Sequence, residues 1–219
     1  MSINAELAEE PRTGLVAAVN LMLGNGMLYL RRSKSNVREG GKWNIPSGGI
    51  REGENKILAA LREVREETGA VFQPEGIAYL GKAPVPIHLA DGSETRAMCY
   101  TFVIDAREEL LLKDIRLLRK EHTAKMTLSF GQLTYQRYLI ARNNNLKDRM
   151  VDVFERKVLD RHPIDFTTAD KVNIVMNYDK LREVMRRGMS AVPNDHDYEL
   201  VELSEENEGV IRSMQAGQG

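Results

Sequence analysis

Residues 48–71 read GGIREGENKILAALREVREETGAV, and this stretch decides the fold. It contains Glu52, Glu54, Glu63, Glu66 and Glu67. The last three fall at i, i+3 and i+4, the spacing that puts side chains on one face of a helix. Like charges so placed cost roughly a few tenths of a kcal/mol per pair. Arg62 and Arg65 lie close by but do not offset all of that repulsion. A bound divalent cation is the simplest physical reason to keep such a face. Carboxylate oxygens without His or Cys suit Mg²⁺ or Mn²⁺, in sites that leave room for water and phosphate oxygens.

The surrounding pattern supports a loop followed by a helix. Ile57, Leu58, Leu61 and Val64 recur at spacings of three and four, which predicts a helix over Asn55–Thr68 with one apolar stripe. Gly69 follows as a stop. Glu54 sits near the helix start, where negative charge is favourable. It is eight residues before Arg62, too far for a pair along one helix, so pairing requires the loop to fold back. Gly48 and Gly49 are expected to let the loop backbone approach the helix closely, and Pro46 stiffens the same loop.

Gly48, Glu54, Arg62, Glu63, Glu66, Glu67 and Gly69 together resemble the signature of the Nudix hydrolase family, G-x5-E-x7-R-E-U-x-E-E-x-G-U, where U is a bulky aliphatic residue. Val64 occupies the first U position, and the small Ala70 occupies the last. Ser47 and Arg51 stand where the family often has a glycine and an acid. The resemblance spans roughly residues 13 to 142. It implies an α/β fold, an α/β/α sandwich with a mixed sheet. It also implies metal-dependent hydrolysis of a nucleoside diphosphate linked to a further group X, with Mg²⁺ or Mn²⁺ as cofactor. Carried over by position, Glu63 and Glu67 are the main metal ligands, and Glu66 is a further ligand or the base. The Ser47 carbonyl is another candidate ligand, while Arg62 and Glu54 pair to orient the helix. Many members use an additional acid outside the signature. The segment KEHTAKMTLSF, 120–130, points to Glu121 for that role, ahead of His122. The alternative for Glu121 is a solvated loop charge.

Working outward, GLVAAVNLML at 14–23 and MLYLRRS at 27–33 flank Gly24-Asn25-Gly26, a hairpin signal. The first strand is apolar at nearly every position, as a strand buried on both faces would be. Residues 33–49 are expected to form a long functional loop. Within it Trp43 either stacks on a base or packs as core, and Arg31 and Arg32 either contact phosphate or are solvated. Together with Gly48 and Gly49 these are the substrate-binding candidates. Strands are expected in 76–84, 96–106 and 125–130, with a turn at 90–94. Ser129 with Gln132 forms a capping-box pattern that opens a helix. Two further helices are expected over 146–161 and 168–187, the latter capped by Thr167 or Thr168 and stopped by Gly188.

The expected organisation is a polar tail at 1–12, a hydrolase domain at 13–145 and a mainly helical extension at 146–219 with a disordered end. The extension's apolar residues suit packing on the domain or on a second subunit, as in a homodimer. Asp195-His196-Asp197 suggests a solvated loop, because adjacent side chains diverge.

A hydrophobic share of 42% is enough for a core, and a net charge of -1 does not by itself imply non-specific nucleic-acid binding. The family resemblance implies a nucleotide-type small molecule as partner, and the charge is compatible with it and makes an RNA end the less favoured one. The longest apolar stretch, 14–23, is too short to span a bilayer. Cys99 is the single cysteine and is expected to be buried, which excludes an intrachain disulfide. With no signal-peptide pattern at the N-terminus, a cytoplasmic location is expected. The alternative to an enzyme is a non-catalytic nucleotide-sensing Nudix domain that signals through its C-terminal helices.

Overall fold

The structure, a computed structural model, describes residues 14–24, 26–36, 39–88, 94–117, 121–143 and 164–189. The expected tail, the turn at 90–94, the helix over 146–161 and the Asp195–Asp197 stretch lie wholly or largely outside these residues.

Seven strands of the described residues form one mixed sheet: β1 (Leu15–Leu23), β2 (Gly26–Arg32), β3 (Trp43–Asn44), β4 (Ser47–Gly49), β5 (Ile77–His88), β6 (Glu94–Asp105) and β7 (His122–Ser129). The order is β3-β2-β1-β6-β5, with β4 also on β1 and β7 also on β2. β1 and β6 run parallel, and the other pairs are antiparallel. Among the described residues three α-helices cover the faces: α1 (Lys56–Thr68), α2 (Phe130–Asn143) and α3 (Thr168–Arg187).

Side-chain alternation along β1 divides the core in two. Ala17, Val19, Leu21 and Leu23 join Ala59, Ala60, Leu61 and Val64 of α1 on one face. Ala18 and Met22 join Leu133 of α2 and Ile174, Leu181 and Val184 of α3 on the other. The result is an α/β/α sandwich, and the burial of every residue from Ala17 to Leu23 matches the sequence pattern. Cys99 is buried as expected. Asn20 interrupts the apolar run on the α3 face without being orphaned. Its amide donates to the Phe102 carbonyl at 3.1 Å and accepts from Asn173 at 3.1 Å, and Asn173 accepts from Asn177 at 2.9 Å. Buried amides satisfied this way fix the register of α3 on the sheet.

The expected loop over 33–49 contains β3 and β4. Strands of two and three residues carry no readable periodicity, and here β1 and β2 supply the pairing partners. The capping box is formed: Ser129 N–H donates to Gln132 Oε1 at 2.8 Å, and Gln132 N–H donates to Ser129 Oγ at 3.4 Å. Thr167 is the N-cap of α3, and Gly188 closes it at a positive φ of 81°. Among the described residues no helix is long and apolar enough to cross a membrane.

Candidate active site

Helix α1 delivers the acids. Asn55 starts it by accepting from Ile57 N–H at 2.8 Å and Leu58 N–H at 3.4 Å. Gly69 ends it in the left-handed conformation at φ 75°, its N–H returned to the Arg65 carbonyl. Between these caps the apolar stripe fixes the helix rotation, and that rotation turns Glu63 and Glu67 inward. They are 3% and 2% exposed, whereas the Glu66 side chain is 33% exposed.

Arg62 organises the entrance to the helix. Its Nε and Nη2 donate to the two Glu54 oxygens at 2.7 and 2.9 Å. Nη2 also donates to the Gly49 carbonyl at 2.9 Å, and Nη1 to Glu63 Oε1 at 2.5 Å. Glu66 Oε2 is 3.7 Å from Nη1. The loop thus folds back onto the helix, with Glu54 also accepting from Arg51 N–H at 2.9 Å. Burial alone would raise the Glu54 pKa, but the Arg62 and Arg51 hydrogen bonds and charges outweigh it and hold the carboxyl below its ordinary range. Burial opposes the Arg62 charge in the same way, yet its carboxylate partners push its pKa above the ordinary value.

Gly48 is needed for a close approach. A Cβ there would stand well inside 3.0 Å of all three atoms of the Glu63 carboxyl group. Gly49, expected to share this role, does not: a Cβ on it would meet nothing within 4 Å. Its contribution is the carbonyl that Arg62 binds. Ser47 N–H donates to Glu67 Oε2 at 3.3 Å, which ties β4 to the helix from the other side.

The third wall is the start of β7. Arg31 pairs with Ala124 but Arg32 pairs with His122, so β7 carries one extra residue at this point. Such a bulge re-aims side chains. Ligand atoms of Glu67, Glu121 and His122 come within 4.8 Å of one another. Glu121 is held there by its carbonyl, which accepts from Ser33 N–H at 2.5 Å. Burial, then the charges of Glu63 and Glu121, push the Glu67 pKa well above its ordinary value, against the Ser47 N–H and the charge of Arg32. A buried carboxylate pressed by two others is a donor set that a divalent cation fits, with His122 adding a nitrogen to what the sequence presents as an all-oxygen site.

Arg32 acts electrostatically on Glu67, and its buried Nε has no hydrogen-bond partner among the described residues. Arg31 is exposed and donates to the Gly41 carbonyl at 3.1 Å. Trp43 packs against the α2/α3 side of the core, and its backbone bridges to Phe166. The Asn55 cap was not singled out from the sequence, although Asn before an apolar-periodic run is a start signal.

The family model of the NUDIX domain matches residues 12–151, well over half of the chain. The chain belongs to the NUDIX family. Curated relatives of this NUDIX chain include an RNA pyrophosphohydrolase of Roseobacter denitrificans, 42% identical over 65 residues, which are 29% of the chain and 38% of the relative. Another is an RNA pyrophosphohydrolase of Xanthomonas campestris, 38% identical over 74 residues, or 34% of the chain and 31% of the relative. The chain therefore spans only about a third of the length of these relatives. Among solved structures, the NUDIX domain of Shewanella oneidensis NrtR complexed with ADP ribose is 14% identical at a TM-score of 0.47, covering 83% of this chain and 94% of that one. The E. coli dihydroneopterin triphosphate pyrophosphohydrolase is 22% identical at a TM-score of 0.45, covering 58% and 88%.

Proposed function

We propose that this NUDIX domain is a metal-dependent pyrophosphohydrolase that cleaves the phosphoanhydride bond of a nucleoside diphosphate linked to another group. One observation carries the reading. Glu63 and Glu67 are buried side by side with Glu121 beside them, and the Arg62–Glu54 pair holds their helix in place. Burying carboxylates together is unfavourable unless a cation binds there.

Glu63, Glu67 and Glu121 hold the cation in this reading, with His122 and the Ser47 carbonyl as further donors. Mg²⁺ or Mn²⁺, once bound, supplies neutralisation of the diphosphate oxygens and acidification of water. Glu66, the more exposed acid of the helix face, accepts the proton. Arg32, whose charge acts on Glu67, meets substrate phosphate in this reading. Arg62 and Glu54 keep the acids in register, so that no reorganisation is needed when charge develops.

The substrate class includes nucleoside triphosphates, nucleotide sugars, dinucleoside polyphosphates and RNA ends. The net charge of -1 favours the small nucleotides, whereas the relatives named RNA pyrophosphohydrolases keep an RNA end in the comparison. The test is a hydrolysis panel over these classes with Mg²⁺ and with Mn²⁺, read by product chromatography. Release of a nucleoside monophosphate or a shortened phosphate chain from at least one class is expected. Tight nucleotide binding with no cleavage of any class would replace this reading with a sensing domain.

A further inference from the structure

The family match ends at residue 151, yet the segment Ile164–Asp170 lies directly against the strand that leads into the acid-bearing loop. Trp43 N–H donates to the Asp165 carbonyl at 2.9 Å, and Thr167 N–H donates to the Trp43 carbonyl at 3.0 Å. Two residues on, Ile45 N–H donates to Asp170 Oδ1 at 3.1 Å. The next donor along the chain, Ser47 N–H, is the one that binds Glu67. After it comes Gly48, over which the Glu63 carboxyl lies. Trp43 and Ile45 of this short segment are therefore held by the C-terminal segment, and Ser47, the next N–H along it, is held by the site.

Asp170 is an expensive residue for this place if it serves only helix α3. Thr167 already caps that helix by accepting from Asp170 N–H at 3.3 Å. Burial pushes the Asp170 carboxyl up to about 7, despite hydrogen bonds from the Thr167 hydroxyl and the Ile45 N–H. A neutral residue would avoid that cost. A carboxylate gives Asp170 two acceptor oxygens: one holds Ile45, and the other is fixed by Thr167.

We propose that Asp170 is a positioning residue for the active site: it holds the 43–47 backbone so that Ser47 and Gly48 meet Glu67 and Glu63 in register, which makes the C-terminal segment part of the catalytic unit. This rests on the pyrophosphohydrolase reading above for its effect on turnover, but not for its effect on the backbone.

The test uses the full chain with Asp170→Ala and Asp170→Asn. Two quantities are read: amide hydrogen exchange at Ser47 by NMR, and kcat and KM on the preferred substrate of the panel. In Asp170→Ala, Ser47 exchange should speed up by about tenfold or more. Turnover should fall by roughly 10- to 100-fold with little change in KM, as expected when acids are misplaced by up to about 1 Å. Asp170→Asn keeps an acceptor for Ile45 and should recover most of both. Should Asp170→Ala not fold, Thr167→Val decides, since it frees the carboxyl that Thr167 fixes. Faster Ser47 exchange with lower kcat supports the proposal. Wild-type exchange and wild-type kcat, whatever happens to the melting temperature, would reduce Asp170 to a structural contact and overturn it. If wild-type protein cleaves nothing, the pyrophosphohydrolase reading fails, and Ser47 exchange alone still decides the role of Asp170.

Discussion

Replacing Gly48 by Ala adds one methyl group where the Glu63 carboxyl group now lies. Ordinary contact begins near 3.4 Å, and the new Cβ would stand well inside 3.0 Å of the carboxyl carbon and both oxygens. The Glu63 carboxyl must therefore retreat by about 1 Å, a displacement that can cost on the order of a hundredfold in rate when it moves a catalytic group. Stability should suffer far less. The obstructing atoms are the end of a flexible side chain rather than backbone, and Gly48 does not need a positive φ. The neighbouring substitution is the control. Gly49→Ala places its methyl in open space, and the carbonyl that Arg62 binds is unchanged. Steady-state hydrolysis with thermal denaturation of both variants separates the effects. The expected result is a fall of about a hundredfold in kcat/KM for Gly48→Ala, with Gly49→Ala within about threefold of wild type. Equal activity in the two variants would refute the claim that Gly48 exists to seat Glu63.

Three further outcomes follow from the same geometry. Glu54 is held below its ordinary value of 4.5 in the folded protein, so its stabilisation is complete above that pH and disappears as pH falls through the lower folded value. Glu54→Gln should cost about 2 kcal/mol at neutral pH, the range for hydrogen bonds to charged groups, and should weaken the acid limb of a pH–stability profile. Glu67 has the opposite sign: its pKa is raised on folding, so stability is lost as pH rises through the folded value. With chelator present at alkaline pH, Glu67→Gln should therefore melt higher than wild type. Metal at about a hundred times its dissociation constant should stabilise wild type by about 2.7 kcal/mol and the variant hardly at all, as read by thermal shift with Mg²⁺. His122→Gln should lower the preference for Mn²⁺ over Mg²⁺ in competition calorimetry, because imidazole favours the transition metal.

What the sequence revealed and what it hid divide along a physical line. Helix α1 and its Gly69 stop follow from local spacing, which is visible in a string of letters, whereas the same spacing groups Glu66 with Glu63 and Glu67 and does not show that only the latter two are buried. The Glu54–Arg62 pair was readable as soon as the loop was allowed to fold back, because no along-helix partner fits. The distinction between Gly48 and Gly49 was not readable: two adjacent glycines look alike, and only the position of Glu63 separates them. Similarly, Arg31 and Arg32 are neighbours in sequence, but only Arg32 acts electrostatically on Glu67. His122 comes to the acids at a bulge, a one-residue shift in pairing that leaves no periodic trace. Asp170 meets Ile45 across 125 positions of chain, and nothing near either residue signals the other.

In the proposed reaction the buried acids of α1 support metal-dependent cleavage of a phosphoanhydride bond. The most direct measurement is turnover of the best panel substrate in ¹⁸O-labelled water, with product masses compared for wild type, wild type with chelator, and Glu67→Gln. Metal-loaded wild type should incorporate ¹⁸O into a phosphate of one product, and the other two should lose this incorporation almost completely. Cleavage that persists undiminished with chelator or in folded Glu67→Gln would contradict the assignment. So would nucleotide binding by the metal-loaded wild type without any labelled product.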